Sequence, residues 1–544
     1  MTEQTETDRR PAQLHRLREE RFEALIIGGG INGAGLARDL ALRGFQVALV
    51  EKGDYASGTS SASTKLIHGG LRYLENFDFR LVFEACRERR TLRRIAPHLV
   101  HPLPFLIPVY QGDPRPLWMV RAGMWLYDLL ALFRNTGRHS ILAPQVALER
   151  EPELHPEGLS GVALYWDCRM DDARLCLENI LGATAAGAVT ANYLPVVELL
   201  REAGRSAGVR VRDTESGAEF IIRAKVVINA TGPWLEQVCA LAGDHGVKLR
   251  PTRGTHILVP RINHGEEALY LTAGGDGRLF FVIPWGELSL IGTTDDDDRG
   301  DPDRVVATEA DIAYLLAESR RHLRNVGLQR RDVVASFSGL RALAIDDAAN
   351  TGRTSREHRI YTDASGLISI AGGKYTTYRA VAAELADLVA RRLGKYGAEL
   401  TATLPLPGGA TGKFSRYVAQ QTPLLARRYG CADATVRRLL GIYGSRTEAV
   451  LALTAAEPEL LQPVVAGSTL LAAQVVFAAM SEQARTPEDV LRRRTPLALE
   501  RGCGMAELAA VSRLLAQRLG TTTATQQQWE TDYRHKYKDI DDEN

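Results

Sequence analysis

The segment 24–35, ALIIGGGINGAG, constrains the fold of this chain more than any other. A short apolar strand runs into the pattern Gly28-x-Gly30-x-x-Gly33 and then into an amphipathic helix over 32–43. In such a turn the glycines allow a tight bend, a close approach of the backbone to a pyrophosphate, and close packing of the helix on the strand. The helix N-terminus adds N–H groups and a positive dipole end. The pattern predicts a dinucleotide-binding turn.

A second apolar strand follows and ends on an acidic residue. Residues 46–50 read QVALV, and Glu51 lies 18 positions after Gly33. A carboxylate about 20 residues beyond the glycines is placed to bind a ribose hydroxyl. A chance succession of strand, turn and helix is the alternative interpretation, and the second strand with its acid counts against it. The segment therefore predicts an adenine dinucleotide, without choosing FAD over NAD.

Composition limits the partners and the compartment. The 544 residues suffice for two or three domains, and the formal net charge of +1 gives no overall basic field that would attract nucleic acid. The six cysteines include no CxxC pair, which favours reduced thiols in the cytoplasm without a disulfide framework or a zinc site. We therefore expect no metal. Residues 1–21 are polar and lack the apolar core of a secretory signal, so we expect a short N-terminal extension.

Two apolar stretches fall short of a transmembrane helix. Residues 463–480 carry three polar side chains and continue into a charged segment, which predicts a buried core helix. Residues 118–133 include Trp118, Trp125 and Tyr127. These aromatic residues would suit a membrane interface, with core packing as the alternative.

The run 57–73, SGTSSASTKLIHGGLRY, is too rich in hydroxyls and glycines to form a packed strand. A flexible linker is one interpretation. Against it, a linker has no need of the sequence Lys-x-x-His-Gly-Gly-x-Arg-Tyr, whose side chains are costly to immobilise. Small residues here would let a flat ring lie against the backbone, while the hydroxyls and Lys65 bind its polar edge or the pyrophosphate.

Later segments add features of a site for an anionic ligand. NATGPW at 229–234 ends a strand in a turn that can face a dinucleotide, although it can also be a plain strand–helix turn. GGKYTTYR at 372–379 places a helix N-terminus after a glycine turn. Arg341 and Arg356, 15 positions apart, suit bidentate recognition of a phosphate monoester, with surface salt bridges as the alternative. The acidic run 295–298 lacks the spacing of an EF-hand and predicts a solvated loop.

Together these motifs resemble the FAD-dependent glycerol-3-phosphate dehydrogenase family. Its members carry closely similar forms of GGGINGAG at 28–35, TSSASTKLIHGGLRYL at 59–74, an arginine-rich helix after it, DDARL at 171–175 and GGKYTTYR at 372–379. The resemblance covers almost the whole chain after about residue 22.

The resemblance implies an α/β fold. A Rossmann-like FAD-binding domain of the glutathione reductase and D-amino acid oxidase type would be joined to an antiparallel-sheet substrate domain and a C-terminal helical domain. The expected boundaries are 1–21 for the extension, 22–100 with 161–240 and 335–397 for the FAD-binding domain, 101–160 with 241–334 for the substrate-binding layer, and 398–544 for the helical domain.

The resemblance also implies roles for single residues. We expect non-covalent FAD to contact the first turn, the acid, the serine-rich run and the two later glycine turns, at Gly28, Gly30, Ile31, Asn32, Gly33, Glu51, Thr59, Ser60, Ser61, Lys65, Leu66, Ala230, Gly232, Gly373, Lys374, Tyr375 and Thr376. The expected substrate-binding residues are Arg72, Tyr73, His256, Arg341, Arg356 and Lys374. The expected catalytic residues are His68, Arg341 and Lys374. The alternatives to His68 as the base are His256 and a water activated by Arg341 or Lys374.

The implied reaction is oxidation of sn-glycerol 3-phosphate to dihydroxyacetone phosphate, with a hydride passing from C2 to flavin N5. The resemblance to the dehydrogenase branch implies membrane quinone as electron acceptor and peripheral attachment to the cytoplasmic face of the cell membrane, with a homodimer as a candidate assembly. The alternatives are a glycerol-3-phosphate oxidase that uses O2, an amino-acid oxidase of the same fold, and an FAD-binding RNA-modification protein. The near-zero net charge disfavours the last of these.

Overall fold

The computed structural model describes residues 8–243, 247–345 and 358–538. They form two sheets with helices packed around them, followed by a helical C-terminal domain. Among the described residues, no helix combines the length and the apolar character needed to cross a bilayer.

The first sheet has a parallel centre, in which β1 (Arg21–Ile27) lies between two other buried strands. Its eight strands are β1, β2 (Val47–Val50), β7 (Val189–Ala191), β8 (Val196–Glu202), β9 (Arg205–Arg212), β10 (Glu219–Asn229), β17 (Arg359–Thr362) and β18 (Ile368–Ala371). The parallel pairs run in the order β18, β10, β1, β2, β7, whereas β8, β9 and β17 join antiparallel. Because parallel strands end on the same edge, the turns after β1, β10 and β18 meet at one place. The predicted Rossmann-like domain is confirmed.

The second sheet has ten strands and is antiparallel except where β4 pairs with β12. Its strands are β3 (Leu66–Ile67), β4 (Val100–Tyr110), β5 (Ser140–Leu142), β6 (Leu159–Met170), β11 (Leu249–Pro260), β12 (Ala268–Thr272), β13 (Leu279–Trp285), β14 (Leu288–Gly292), β15 (Asp296–Asp297) and β16 (Ala335–Ala344). The long pairing of β11 with β16 brings residues of two predicted site segments, 253–256 and 336–342, into register. The predicted antiparallel sheet is thereby confirmed.

The helices up to residue 393 pack on these sheets, and those after residue 413 form a separate core. They are α1 (Arg10–Glu19), α2 (Ile31–Leu42), α3 (Phe79–Ile95), α4 (Leu117–Leu130), α5 (Pro144–Arg150), α6 (Asp172–Ala185), α7 (Leu235–Leu241), α8 (Glu309–His322), α9 (Tyr378–Leu393), α10 (Phe414–Tyr429), α11 (Asp433–Tyr443), α12 (Thr447–Ala452), α13 (Ala472–Glu482), α14 (Leu508–Leu519) and α15 (Thr523–Lys538). A π-helical turn covers Asp489–Arg494 between α13 and α14. The helical C-terminal region agrees with the prediction.

Two local predictions hold only in part. Only the second half of 463–480 is helical, because Pro463 and Leu471 pair as an isolated bridge before α13 begins. The acidic run 295–298 is partly exposed to solvent, as predicted, but its two central residues form β15. Each carboxylate is also paired with an arginine, since Arg341, Arg278, Arg250 and Arg253 bind Asp295, Asp296, Asp297 and Asp298 in turn.

Candidate active site

One large cavity, with a volume of about 1620 Å³, is lined by both sheets and by the C-terminal domain. Typical small-molecule pockets have volumes of about 300–1,000 Å³. The cavity therefore has room for a dinucleotide together with a small substrate. Most of the residues that the sequence predicted for cofactor binding lie in its wall: Gly28, Gly30, Ile31, Asn32, Glu51, Thr59, Ser60, Ser61, Leu66, Ala230, Gly232, Gly373, Lys374, Tyr375 and Thr376.

The turn after β1 is built for a close backbone approach. Gly28 has φ of 109°, and a Cβ placed there would lie 2.7 Å from the carbonyl oxygen of Ala230. A Cβ on Gly33 would overlap the Gly28 carbonyl oxygen, so Gly33 lies beneath the turn and does not line the cavity. Ile31 N donates to Ser60 Oγ at 2.9 Å, which ties the start of α2 to the serine-rich run. This glycine-lined cradle at a helix N-terminus fits the pyrophosphate of a dinucleotide.

Glu51 follows β2 and lines the cavity beside this turn. Its carboxylate accepts hydrogen bonds from Gly29 N at 2.6 Å and Gly53 N at 2.9 Å. Burial raises the pKa of Glu51, although the two N–H groups favour its ionised form. The carboxylate is thus held in place by the backbone, as a group that accepts hydrogen bonds from ribose hydroxyls needs to be.

Among the predicted cofactor residues, Lys65 is the one whose side chain points away from the cavity. Its ammonium forms a buried ion pair with Asp172 and also donates to Ser61 O at 3.3 Å. Lys65 is absent from the cavity wall, whereas its neighbours Thr64 and Leu66 are part of it. The lysine side chain therefore supports the serine-rich run from behind, and its predicted contact with the pyrophosphate or the flavin edge stays a prediction.

Two glycine turns bring His68 and Lys374 to the same end of the cavity. His68 N donates to Thr376 Oγ1 at 3.2 Å, so the two turns touch directly. Gly69 N donates to Asp167 Oδ1 at 3.0 Å, and a Cβ on Gly69 would overlap a tyrosine hydroxyl from α4. Lys374 Nζ lies 3.5 Å from the centre of the Tyr73 ring, a cation–π contact that fixes the ammonium beside the cavity.

His256 lies on β11 and is almost fully buried. Its Nε2 is 2.9 Å from Thr64 Oγ1, its ring stacks on Phe337 with centres 5.0 Å apart, and its Nδ1 has no hydrogen-bond partner among the described residues. Burial, with Arg341 and Lys65 nearby, holds the pKa of His256 well below its usual 6.5. The imidazole is therefore neutral at physiological pH.

Arg341 lies on β16, opposite Thr252 of β11. Its guanidinium donates to Asp295 Oδ1 at 2.8 Å and to Thr293 Oγ1 at 3.1 Å, and a Cβ on Gly254 would lie 2.6 Å from Arg341 Nη2. These contacts fix a half-buried cation in the cavity wall. Arg356 and the side chain of Arg72, the other two arginines predicted for the substrate, lie outside the described part of the chain.

Sequence reasoning missed an aromatic wall and the contribution of the C-terminal domain. Phe105 stacks on Tyr165 with ring centres 5.1 Å apart, and Tyr270 and Phe281 extend this wall of the cavity. The C-terminal residues in the wall are Glu488, Arg492, Arg493, Ala498, Leu499, His535, Lys536 and Tyr537. Alternating apolar residues in the strands indicated burial, but the sequence contains no signal that these side chains face a ligand.

Comparison with known proteins agrees with this geometry. Residues 23–388 match the model of the FAD dependent oxidoreductase family, and residues 399–526 match the C-terminal domain of alpha-glycerophosphate oxidase. Glycerol-3-phosphate dehydrogenase from Synechocystis sp. is 40% identical over 522 residues, which cover 92% of this chain and 93% of the relative. The chain belongs to the FAD-dependent glycerol-3-phosphate dehydrogenase family.

Further members of this family are also similar to the chain. Glycerol-3-phosphate dehydrogenase 2 from Mycobacterium bovis is 39% identical over 516 residues, covering 94% of this chain and 87% of the relative. Among solved structures, the glycerol-3-phosphate dehydrogenase from Bacillus halodurans, complexed with FAD, matches with a TM-score of 0.83 at 32% identity, covering 98% of this chain and 97% of the other. This membership decides between the two dinucleotides that the first turn allowed: the enzyme is an FAD-dependent oxidoreductase, and its glycine cradle, buried acid and large cavity fit that cofactor.

Proposed function

We propose that this enzyme oxidises sn-glycerol 3-phosphate to dihydroxyacetone phosphate with non-covalently bound FAD. The observation that carries the proposal is the pair of cations, Lys374 and Arg341, in the wall of the same cavity as His68 and the neutral His256. A substrate with a dianionic phosphate and a secondary alcohol requires both positive charge and a proton acceptor.

FAD supplies the acceptor for the hydride that leaves C2 of the substrate. The protein stabilises the charge that develops at the C2 oxygen, and we assign this role to the Lys374 ammonium. Its contact with the Tyr73 ring holds the ammonium in the cavity wall. We assign the phosphate to Arg341 together with Arg356, because guanidinium groups bind phosphate oxygens bidentately. Tyr73 and Arg72 orient the substrate between these cations.

The C2 hydroxyl proton requires a base, and we assign this role to His68. Its side chain is half-buried in the cavity wall, on a turn that is tied to the Lys374 turn through Thr376. His256 is the second candidate. It is neutral, but its Nε2 is engaged with Thr64 and its lowered pKa makes it a weaker base. We therefore expect His256 to position the substrate.

Anaerobic reduction of bound flavin tests the proposed substrate and the base together. Glycerol 3-phosphate should bleach the flavin absorbance of the holoenzyme, while glycine and D-alanine should leave it unchanged. Bleaching by an amino acid alone would favour the amino-acid oxidase. His68→Gln should slow the reduction by about 10²–10⁴-fold, the contribution of a positioned base. Unchanged reduction by His68→Gln, with a large loss in His256→Gln, would move the role to His256.

We propose membrane quinone as the electron acceptor and peripheral attachment to the cytoplasmic face of the membrane. The support is an apolar surface on α4 and the start of α3. Every exposed Phe and Trp side chain among the described residues lies there: Phe77, Phe79, Phe83, Trp118, Trp125 and Phe133. Trp118 and Trp125 are 69% and 58% exposed, while Tyr127 of the same helix is buried. An apolar helix face with tryptophans and nearby exposed arginines, here Arg121 and Arg134, is typical of a helix lying in a membrane interface. Core packing was the alternative interpretation of residues 118–133, and it applies only to the inner face of α4.

Vesicle sedimentation tests this surface. Trp118→Ala/Trp125→Ala should weaken binding to vesicles containing anionic lipid by at least about tenfold, since each buried indole contributes more than about 1.4 kcal/mol. The matched control, Tyr396→Ala/Leu424→Ala, removes two exposed apolar side chains elsewhere and should bind as the parent does. Equal binding by all three proteins would contradict the assigned surface.

Reoxidation of the reduced enzyme tests the electron acceptor. Rapid reoxidation by O2 with peroxide formation, and slow reoxidation by a soluble quinone, would favour the oxidase instead.

A further inference from the structure

The C-terminal domain holds the loop that follows β2 at three points. We call residues 51–62 the flavin loop and residues 483–494 the C-terminal clamp. Tyr55 OH donates to Gln483 Oε1 at 3.0 Å. The Asp54 carboxylate accepts from Arg493 Nε and Arg494 Nη1, each at 2.6 Å. At the far end of the loop, Arg492 Nη2 donates to the carbonyl oxygen of Ser61 at 2.8 Å.

All of these side chains are more than nine-tenths buried, and the loop positions they hold lie directly against the cofactor cradle. A Cβ on Gly29 would lie 2.7 Å from Tyr55 Cδ1, so the Tyr55 ring supports the glycine turn. Ser60 accepts a hydrogen bond from Ile31 N at the start of α2, and Ser61 lines the cavity. The clamp therefore fixes both ends of the segment that shapes the FAD site.

We propose that the C-terminal clamp is a positioning element for FAD, in which Arg492 and Gln483 hold the flavin loop in its cofactor-binding shape. Retention of FAD then depends on a domain that is more than 400 residues distant along the chain. This inference rests on FAD as the cofactor and is independent of the substrate, because the binding of FAD is measured without glycerol 3-phosphate.

The test is release of FAD from diluted holoenzyme, followed by the rise of flavin fluorescence. Arg492→Met keeps an apolar stem of similar size but removes the donor to Ser61, and should raise the Kd for FAD about 10- to 100-fold, the effect of losing a hydrogen bond from a charged donor. Tyr55→Phe removes only the hydroxyl and should raise the Kd about fivefold. Arg492→Lys should lie between the parent and Arg492→Met. Arg513→Met, a change at an exposed arginine of the same domain, should leave the Kd within about twofold of the parent.

Two further measurements distinguish the positioning of FAD from a purely structural role of the clamp. The FAD-free forms of Tyr55→Phe and the parent should melt at similar temperatures, and kcat of Tyr55→Phe at saturating FAD should be unchanged, because Tyr55 is not part of the cavity wall and acts through the loop. An unchanged Kd in Arg492→Met, or a fall in melting temperature of the FAD-free form without a change in Kd, would overturn the proposal. If Arg492→Met does not fold, Tyr55→Phe decides in the same way.

Discussion

Substitution of Gly28 by alanine tests the cofactor cradle most directly. The residue has φ of 109°, where a non-glycine residue pays roughly 1–3 kcal/mol in backbone strain. The added Cβ would also lie 2.7 Å from Ala230 O and 2.9 Å from Ala230 C. These are backbone atoms and cannot rotate away, so overpacking adds about 1–3 kcal/mol. The two effects together predict a loss of about 2–6 kcal/mol.

Most of this loss should appear in FAD binding, because relief of the clash moves β1 away from the Ala230 turn and opens the cradle between them. We expect Gly28→Ala to be purified with little flavin and to bind added FAD at least about 30-fold more weakly, as 2 kcal/mol requires. The assay is the ratio of flavin absorbance to protein absorbance, followed by titration of the FAD-free protein with FAD.

Gly123→Ala is the matched control, since it adds the same methyl group within α4. The structure shows no atom within 4 Å of its Cβ position, and its φ is not positive. Alanine also favours a helix over glycine by roughly 1 kcal/mol, so this variant should be as stable as the parent or more so. If Gly28→Ala bound FAD as tightly as Gly123→Ala, the reasoning about the cradle would be refuted.

Three further predictions concern the chemistry and the stability of the site. Lys374→Met should lower the rate of flavin reduction by glycerol 3-phosphate by about 10²–10³-fold, the effect of losing one charge-stabilising donor. A stopped-flow rate near that of the parent would exclude Lys374 as the group that stabilises charge at the C2 oxygen. Because the pKa of His256 is held well below 6.5, the unfolded chain takes up a proton at this residue as the pH falls below about 6.5 and the folded chain does not. As the pH decreases, the free energy of unfolding of the parent should therefore fall more steeply than that of His256→Gln, by up to about 1.4 kcal/mol per pH unit. Denaturation at about pH 7.5 and about pH 5.5 measures this difference, and equal slopes for the two proteins would contradict the buried neutral imidazole. Glu88→Gln should lower the free energy of unfolding by about 1–3 kcal/mol, because it removes the buried charged partner of Arg379 and leaves only the less buried Glu399. A thermal midpoint equal to that of the parent would show that the pair is replaceable.

The parts of this molecule that were predictable from the sequence are those in which the constraint is local. The strand, glycine turn and helix of 24–43 are contiguous, so their order alone indicates the geometry of the cradle. The turns at Ala230 and Gly373 were predictable for the same reason, and the Rossmann topology then brings them to the same edge of the sheet.

The sequence does not indicate which partners the charged side chains find, because each partner is distant along the chain. Lys65 lies in a run of cofactor residues, but Asp172, 107 positions away, takes its ammonium. The carboxylates of 295–298 remain partly exposed to solvent, but the fold also brings four arginines opposite them. Arg492 reaches Ser61 across 431 positions, in a region whose charged residues are typical of a solvated helix. In each case the sequence specifies the charge, and only the fold specifies its partner.

The placement of the catalytic candidates follows from one such distant pair. His68 precedes α3 and Lys374 precedes α9, and each side chain depends on the direction in which its helix leaves the turn. Glu88 of α3 and Arg379 of α9 form a buried bidentate ion pair, with oxygen–nitrogen distances of 2.6 and 2.7 Å, that fixes the two helices against each other. The bond from His68 N to Thr376 fixes the turns in the same way. The proposed base and the proposed cation thus lie on neighbouring turns that are fixed by a buried ion pair between their helices and by a hydrogen bond between the turns.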